Sequence, residues 1–156
     1  MNDFDFLTGT WDVANRRLTA PLTSGPATWE EFPGTTTGRR FFDGAGNFDE
    51  ISFPTLGRRG ATLRLFDRET GQWSLSWADS RTGRLFPPVT GRFTGDRGDF
   101  YGDDTHEGRP IRVHFVWHLL GPDAARWEQE FSADGGASWE LNWTMDFTRT
   151  GRAAAA

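Results

Sequence analysis

From residue 10 to residue 148 nearly every segment alternates apolar and polar side chains with a step of two. Gly, Pro, Asp or Asn breaks the alternation every 8 to 12 residues or so, which is the rhythm of short antiparallel strands joined by tight turns. The expected strands cover residues 10–18, a second carrying Trp29 and ending before Pro33-Gly34, 36–42, and one through Phe48, Ile51 and Phe53. Next come 59–66 and 72–78 around the turn Asp67-Arg68-Glu69-Thr70-Gly71, then 89–93 after Pro87-Pro88, whose missing N–H groups forbid regular pairing. Residues 99–106 and 110–118 form a hairpin across Glu107-Gly108-Arg109, and 126–131 pairs with 139–148 across Asp134-Gly135-Gly136. The stretch Gly121-Pro122-Asp123-Ala124-Ala125 could open a short helix, but the hairpin turn that follows favours a strand.

About ten antiparallel strands must close on themselves or split into two layers, because a long open edge invites aggregation. The expected fold is therefore all-β: a single antiparallel up-and-down barrel of about ten strands over residues 1–150, with 151–156 a disordered Ala-rich tail. A barrel of that size is wide enough to hold a small molecule. Two copies of a turn followed by Trp-x-Leu-x-Trp, at Trp73–Trp77 and Trp139–Trp143, read as two walls of that barrel, since a solenoid needs three or more repeats.

Composition narrows the chemistry. The chain has no cysteine, and all 17 basic residues are arginine, which removes disulfides, thiolate metal sites, cysteine nucleophiles and lysine Schiff bases. A net charge of -5 argues against a partner bound through phosphates, so no nucleic acid is expected. No apolar run approaches the length of a membrane span, and the opening residues carry neither a basic n-region nor an apolar h-region. The expectation is a cytoplasmic protein, monomer or homodimer. Its apolar content is unusual in kind: 14 Phe and 8 Trp against one tyrosine, so large rings line whatever interior the barrel has.

The run Phe6-Leu7-Thr8-Gly9-Thr10-Trp11-Asp12-Val13 resembles the opening of calycin barrels, a capping turn followed by Gly-x-Trp at the first strand. Within that superfamily the chain is similar to a set of uncharacterised bacterial lipocalin-like domains, from about Phe4 to Arg149. The similarity includes Tyr101-Gly102-Asp103-Asp104, Gly108-Arg109-Pro110-Ile111-Arg112 and Arg126-Trp127-Glu128-Gln129. The resemblance implies that Trp11 closes the narrow end beside Arg149 of the last strand, and that the interior binds a small, largely apolar molecule. It also brings in a haem-binding branch, but Asp12-Val13-Ala14-Asn15 lacks that branch's glycines and no histidine follows His118.

Ser132-Ala133-Asp134-Gly135-Gly136-Ala137-Ser138-Trp139 fits the Asp-box pattern, a hairpin brace remote from catalysis in the folds that carry it. His114 and His118 are about 13 Å apart on an extended strand and cannot share an ion; they fall opposite Ile111, Val113, Phe115 and Trp117, so they are expected outside and solvated. His106 shares parity with Phe100 and Asp104 and is expected to face inward at a barrel rim. The stretch Asp103–Glu107 has the oxygen ligands but not the spacing of a calcium loop. It leaves two readings: a hairpin end with Asp104 paired to Arg109 or Arg112, or a polar patch orienting a ligand.

No nucleophile elbow, phosphate loop or dinucleotide fingerprint is present, and no metal or cofactor is expected. The expected function is non-covalent binding of a small apolar or aromatic molecule. Its expected lining is Trp73, Leu75, Trp77, Phe115, Trp117, Trp127, Trp139, Trp143 and Met145, with Asp104, His106 and Arg112 as polar groups. The alternative is a cofactor-free acid–base enzyme, a lyase or isomerase, in the same barrel. Phenolic acid decarboxylases of the calycin group use tyrosine, arginine and carboxylate groups, and Tyr101, Arg112 and Glu128 are the candidates here, although Tyr101 has outward parity.

Overall fold

A computed structural model describes residues 1–152. Alternation becomes strand wherever the sequence shows it: β1 (Gly9–Leu18), β2 (Trp29–Phe41), β3 (Gly46–Phe53), β4 (Arg58–Asp67), β5 (Gln72–Asp79), β6 (Arg84–Leu85), β7 (Val89–Thr94), β8 (Arg97–His106), β9 (Arg109–Gly121), β10 (Ala124–Ser132) and β11 (Glu140–Gly151). The strands bond in the order β4-β3-β2-β1-β11-β10-β9-β8-β7-β5, and β5 pairs back onto β4. All these pairings are antiparallel, so ten strands form a closed up-and-down barrel. The two-residue β6 hangs on the outer half of β5.

Two boundaries differ from the sequence reading. Trp29 to Phe41 is one strand that runs through Pro33-Gly34. Pro33 pairs with Ala14 on β1, while β3 joins β2 only from Thr35 onward, so proline sits where one edge of its strand is free and its missing N–H costs no ladder bond there. At the far end the last strand continues past residue 148: Gly151 still pairs with Thr10, and Arg152 reaches Asp123 at 2.7 Å; the remainder of the expected tail, residues 153–156, lies outside the described residues. Residues 121–125 form the β9–β10 turn and not a helix.

One end of the barrel is plugged. A 3-10 turn at Asp5–Leu7 sets Phe4 and Leu7 inside, where Phe4 meets Trp73 edge-on at 4.9 Å and Phe93 at 5.2 Å. Trp11, 1% exposed, donates its indole N–H to Leu7 O at 3.2 Å, and the Arg149 guanidinium lies 4.2 Å over its ring. Arg149 also donates to Phe6 O at 2.7 Å and Thr8 O at 2.6 Å, so one cation ties the capping turn to the last strand. The turn presses close enough that a Cβ at Gly38 would stand 2.1 Å from Leu7 O, a contact only glycine allows. Trp11 and Arg149 thus hold the places that the resemblance implied. Among the described residues no helix is long and apolar enough to cross a membrane.

Candidate functional site

Above the plug the interior is not filled. A cavity of about 620 Å³ occupies the other half of the barrel. Its apolar wall comes from inward positions of the strands: Leu75 and Trp77 on β5, Phe115 and Trp117 on β9, Trp127 on β10, Trp143 and Met145 on β11. These are large rings set edge to face, such as Trp127 against Trp143 at 5.6 Å and Phe115 against Trp127 at 5.0 Å. Edge-to-face contact is a geometry that aromatic pairs prefer, so these rings hold one another in place.

The opening lies where the wall is weakest. β5 bonds to β7 only through Trp73–Leu75; its outer half turns to β6 instead, so Phe86 and Pro87 border the cavity beside Gly102. The β1–β2 loop borders the same mouth through Thr19 and Pro21, and is tied down where Leu22 N donates to Glu140 Oε1 at 2.8 Å. Asp104 and His106 line this rim, with His106 5.6 Å from Phe131. Asp104 accepts from the Thr105 N–H at 2.7 Å and makes no pair with Arg109 or Arg112; the hairpin pair belongs instead to Asp103, 3.3 Å from Arg112.

Three expected lining residues sit elsewhere. Trp73 points inward but into the plug, where it packs on Phe4 and Phe66 and donates its N–H to Asp3 at 2.8 Å. Arg112 lies on the outer face, its guanidinium 6.0 Å over Tyr101, because it falls between the inward residues Ile111 and Val113. Trp139 is also outside. β11 carries a bulge: Gln129 pairs with Trp143 and Glu130 with Leu141, leaving Asn142 as the extra residue. An extra residue reverses the face of everything before it, so Trp139 does not share the face of Trp143 and Met145.

The outer face has its own order. His114 is buried and not solvated: its ring stacks on Tyr101 at 4.2 Å, Trp139 meets it at 5.6 Å, and its Nε2 is 2.8 Å from Asp99 Oδ1. Burial pushes the Asp99 carboxyl up, but hydrogen bonds from Arg97 and His114 outweigh it and hold the group below its ordinary value. His118 pairs with Glu128 at 2.8 Å. Tyr101, Arg112 and Glu128, the candidate acid–base set, are therefore all outside the barrel, engaged with neighbours on that face. Among the described residues there is no cluster of three His, Asp or Glu that could hold a metal ion.

The polar part of the interior was missed from sequence. At the cavity floor Arg64 of β4 forms a buried ion pair with Asp49 of β3 and donates to Asn47 Oδ1 at 2.8 Å. Thr36 Oγ1 donates to Asp49 at 2.9 Å. The Arg64 guanidinium lies 5.1 Å over Phe4 and 5.8 Å over Trp117, so the pair sits on the roof of the plug. Higher up, Gln129 donates to Asn142 Oδ1 at 2.9 Å, and Trp143 to Asn15 Oδ1 at 3.0 Å. Near the mouth Arg17 pairs with Glu30 at 2.7 Å and Arg58 with Asp79 at 3.6 Å. Burial, with Arg17 adding to it, holds the Arg58 guanidinium below its ordinary value, and Asp79 offsets only part. The signal was available: Asn47 and Asp49 share parity with Ile51 and Phe53, which places charged groups on an inward face.

No family model matches the chain, and no curated protein matches it, so its chemistry rests on this geometry.

Proposed function

We propose that the barrel binds one small apolar or aromatic molecule, non-covalently, in its interior, as a lipocalin-like binding protein does. The observation that carries this reading is the cavity of about 620 Å³ inside the barrel, reached through one mouth. Protein interiors are close-packed, with few voids larger than a water molecule, so an open space of this size with aromatic walls and a few placed polar groups supports a binding role. Leu75, Trp77, Phe115, Trp117, Trp127, Trp143 and Met145 supply apolar contact, and Asp104 and His106 stand at the entrance.

The test is fluorescence titration with N-phenyl-1-naphthylamine, a neutral probe that brightens when it leaves water. One saturable site is expected in the wild type. Val113→Trp, which puts an indole into the cavity from a buried lining position, should fold and lose the site. Binding unchanged by that substitution would place the probe on the surface and refute the reading.

A further inference from the structure

The hydrogen-bonding inventory of the cavity says what kind of polar group its occupant carries. Arg64 has a side-chain exposure of only 5%, and its Nη1 serves both Asn47 and Asp49. Its Nε is buried with no partner, and its Nη2 donates to no described residue. Asn142, set inward by the bulge, accepts from Gln129 and leaves its Nδ2 buried and unpartnered. At the floor the free groups, Arg64 Nε and Nη2, are therefore donors, while higher on the wall the amides leave a donor, Asn142 Nδ2, and an acceptor, Gln129 Oε1, without a partner among the described residues. Buried donors are rarely left unpaired, because each costs about 1–3 kcal/mol of lost hydration.

Charge decides between kinds of acceptor. Each of the arginines bordering the cavity already has a carboxylate: Arg64 has Asp49, Arg17 has Glu30, and Arg58 and Arg81 share Asp79. Acidic side chains also gather at the rim, in Asp103, Asp104 and Glu107. A ligand carboxylate would enter past these acids and meet, at the floor, a guanidinium already neutralised by Asp49, and a ligand ammonium would meet that same guanidinium. An uncharged oxygen acceptor at the floor can take a hydrogen bond from Arg64 without either cost.

Resting on the binding function proposed above, we infer that the cavity selects an uncharged aromatic molecule bearing a carbonyl oxygen, which accepts a hydrogen bond from Arg64 at the floor while its ring lies among the tryptophans. The test is a matched series on one skeleton, measured by calorimetry or tryptophan quenching: 2-acetylnaphthalene, 2-ethylnaphthalene, 2-naphthoate and 1-(2-naphthyl)ethylammonium. The ketone should bind about tenfold tighter than the hydrocarbon, the worth of one hydrogen bond to a charged donor, and both ions should bind more weakly than the hydrocarbon. Asp49→Asn, which strips Arg64 of its counter-charge, should move the preference toward 2-naphthoate, and Arg64→Met should erase the ketone's advantage. If either variant fails to fold, the wild-type series decides alone. Equal binding of ketone and hydrocarbon, or tightest binding of an ion, overturns this inference while leaving the binding function standing. Binding of none of the four overturns both.

Discussion

Arg149 is worth more to this fold than an arginine on a last strand ordinarily is, and a double-mutant cycle with Trp11 measures how much. The guanidinium lies 4.2 Å from the Trp11 ring with its side chain 9% exposed, so the cation–π contact is largely desolvated. Contacts of this kind contribute about 0.5–1 kcal/mol when exposed and about 2 when desolvated. Its hydrogen bonds to Phe6 O and Thr8 O add to the cost of removing it. Truncating Trp11 to alanine should cost about 3–5 kcal/mol of a total near 5–15, enough to blur the baseline, so the cycle uses Trp11→Leu and Arg149→Met. Arg149→Met should cost about 1–2 kcal/mol less in the Trp11→Leu background than in the wild type. Urea denaturation followed by tryptophan fluorescence resolves that difference as a midpoint shift of about 0.5 M. Coupling below about 0.3 kcal/mol, the ordinary error of additivity, would refute the claim that the two residues act as one clamp.

The buried Asp49–Arg64 pair makes a second prediction: Arg64→Leu alone should cost about 3–5 kcal/mol, and adding Asp49→Leu should recover much of it, because the loss comes from an unpaired buried charge; urea melts of both variants measure this. In the Asp box, hydrogen bonds from Ser138 and Ser132 hold the Asp134 carboxyl down at about 2, against an ordinary 3.8. Since the folded value is depressed, the stability it contributes is present above pH 3.8 and is lost as pH falls through about 2. Carboxyl NMR titration should find that midpoint, and Asp134→Asn should flatten the stability profile across that window. Deleting Asn142 should leave the β10–β11 pairings in place, since Gln129 already faces Trp143 and Glu130 already faces Leu141. Near-UV circular dichroism of the deletion should stay close to wild type, and a molten spectrum would contradict the bulge assignment.

What the sequence made legible follows from the two-residue period of strands. Inward and outward faces were readable wherever the period ran unbroken, as in Leu75 and Trp77 or Phe115 and Trp117, and so was closure, one of the two arrangements that protect the edges of ten antiparallel strands. Depth along the barrel was not readable, because parity gives a face and no height: Trp73 faces inward as its neighbours do, yet lies below the cavity in the plug. The bulge at Asn142 was invisible because one extra residue leaves composition and turns unchanged while reversing the face of Trp139. Pro33 misled for a different reason: proline breaks a paired strand but not one with a free edge. The polar floor was overlooked although Asp49 and Arg64 each occupy an inward position, since charged residues on such a face make sense only once cross-strand register brings them together. Asn47 stands opposite Arg64 and Asp49 opposite Thr62, which puts the two charges on a diagonal.

Native mass spectrometry of the protein, stripped of bound molecules and mixed with N-phenyl-1-naphthylamine, tests most directly whether the barrel is a container. A single 1:1 adduct is expected for the wild type and none for Val113→Trp under the same conditions. A wild type that stays free of adduct at saturating probe, with its fold intact by circular dichroism, would contradict the proposed binding function.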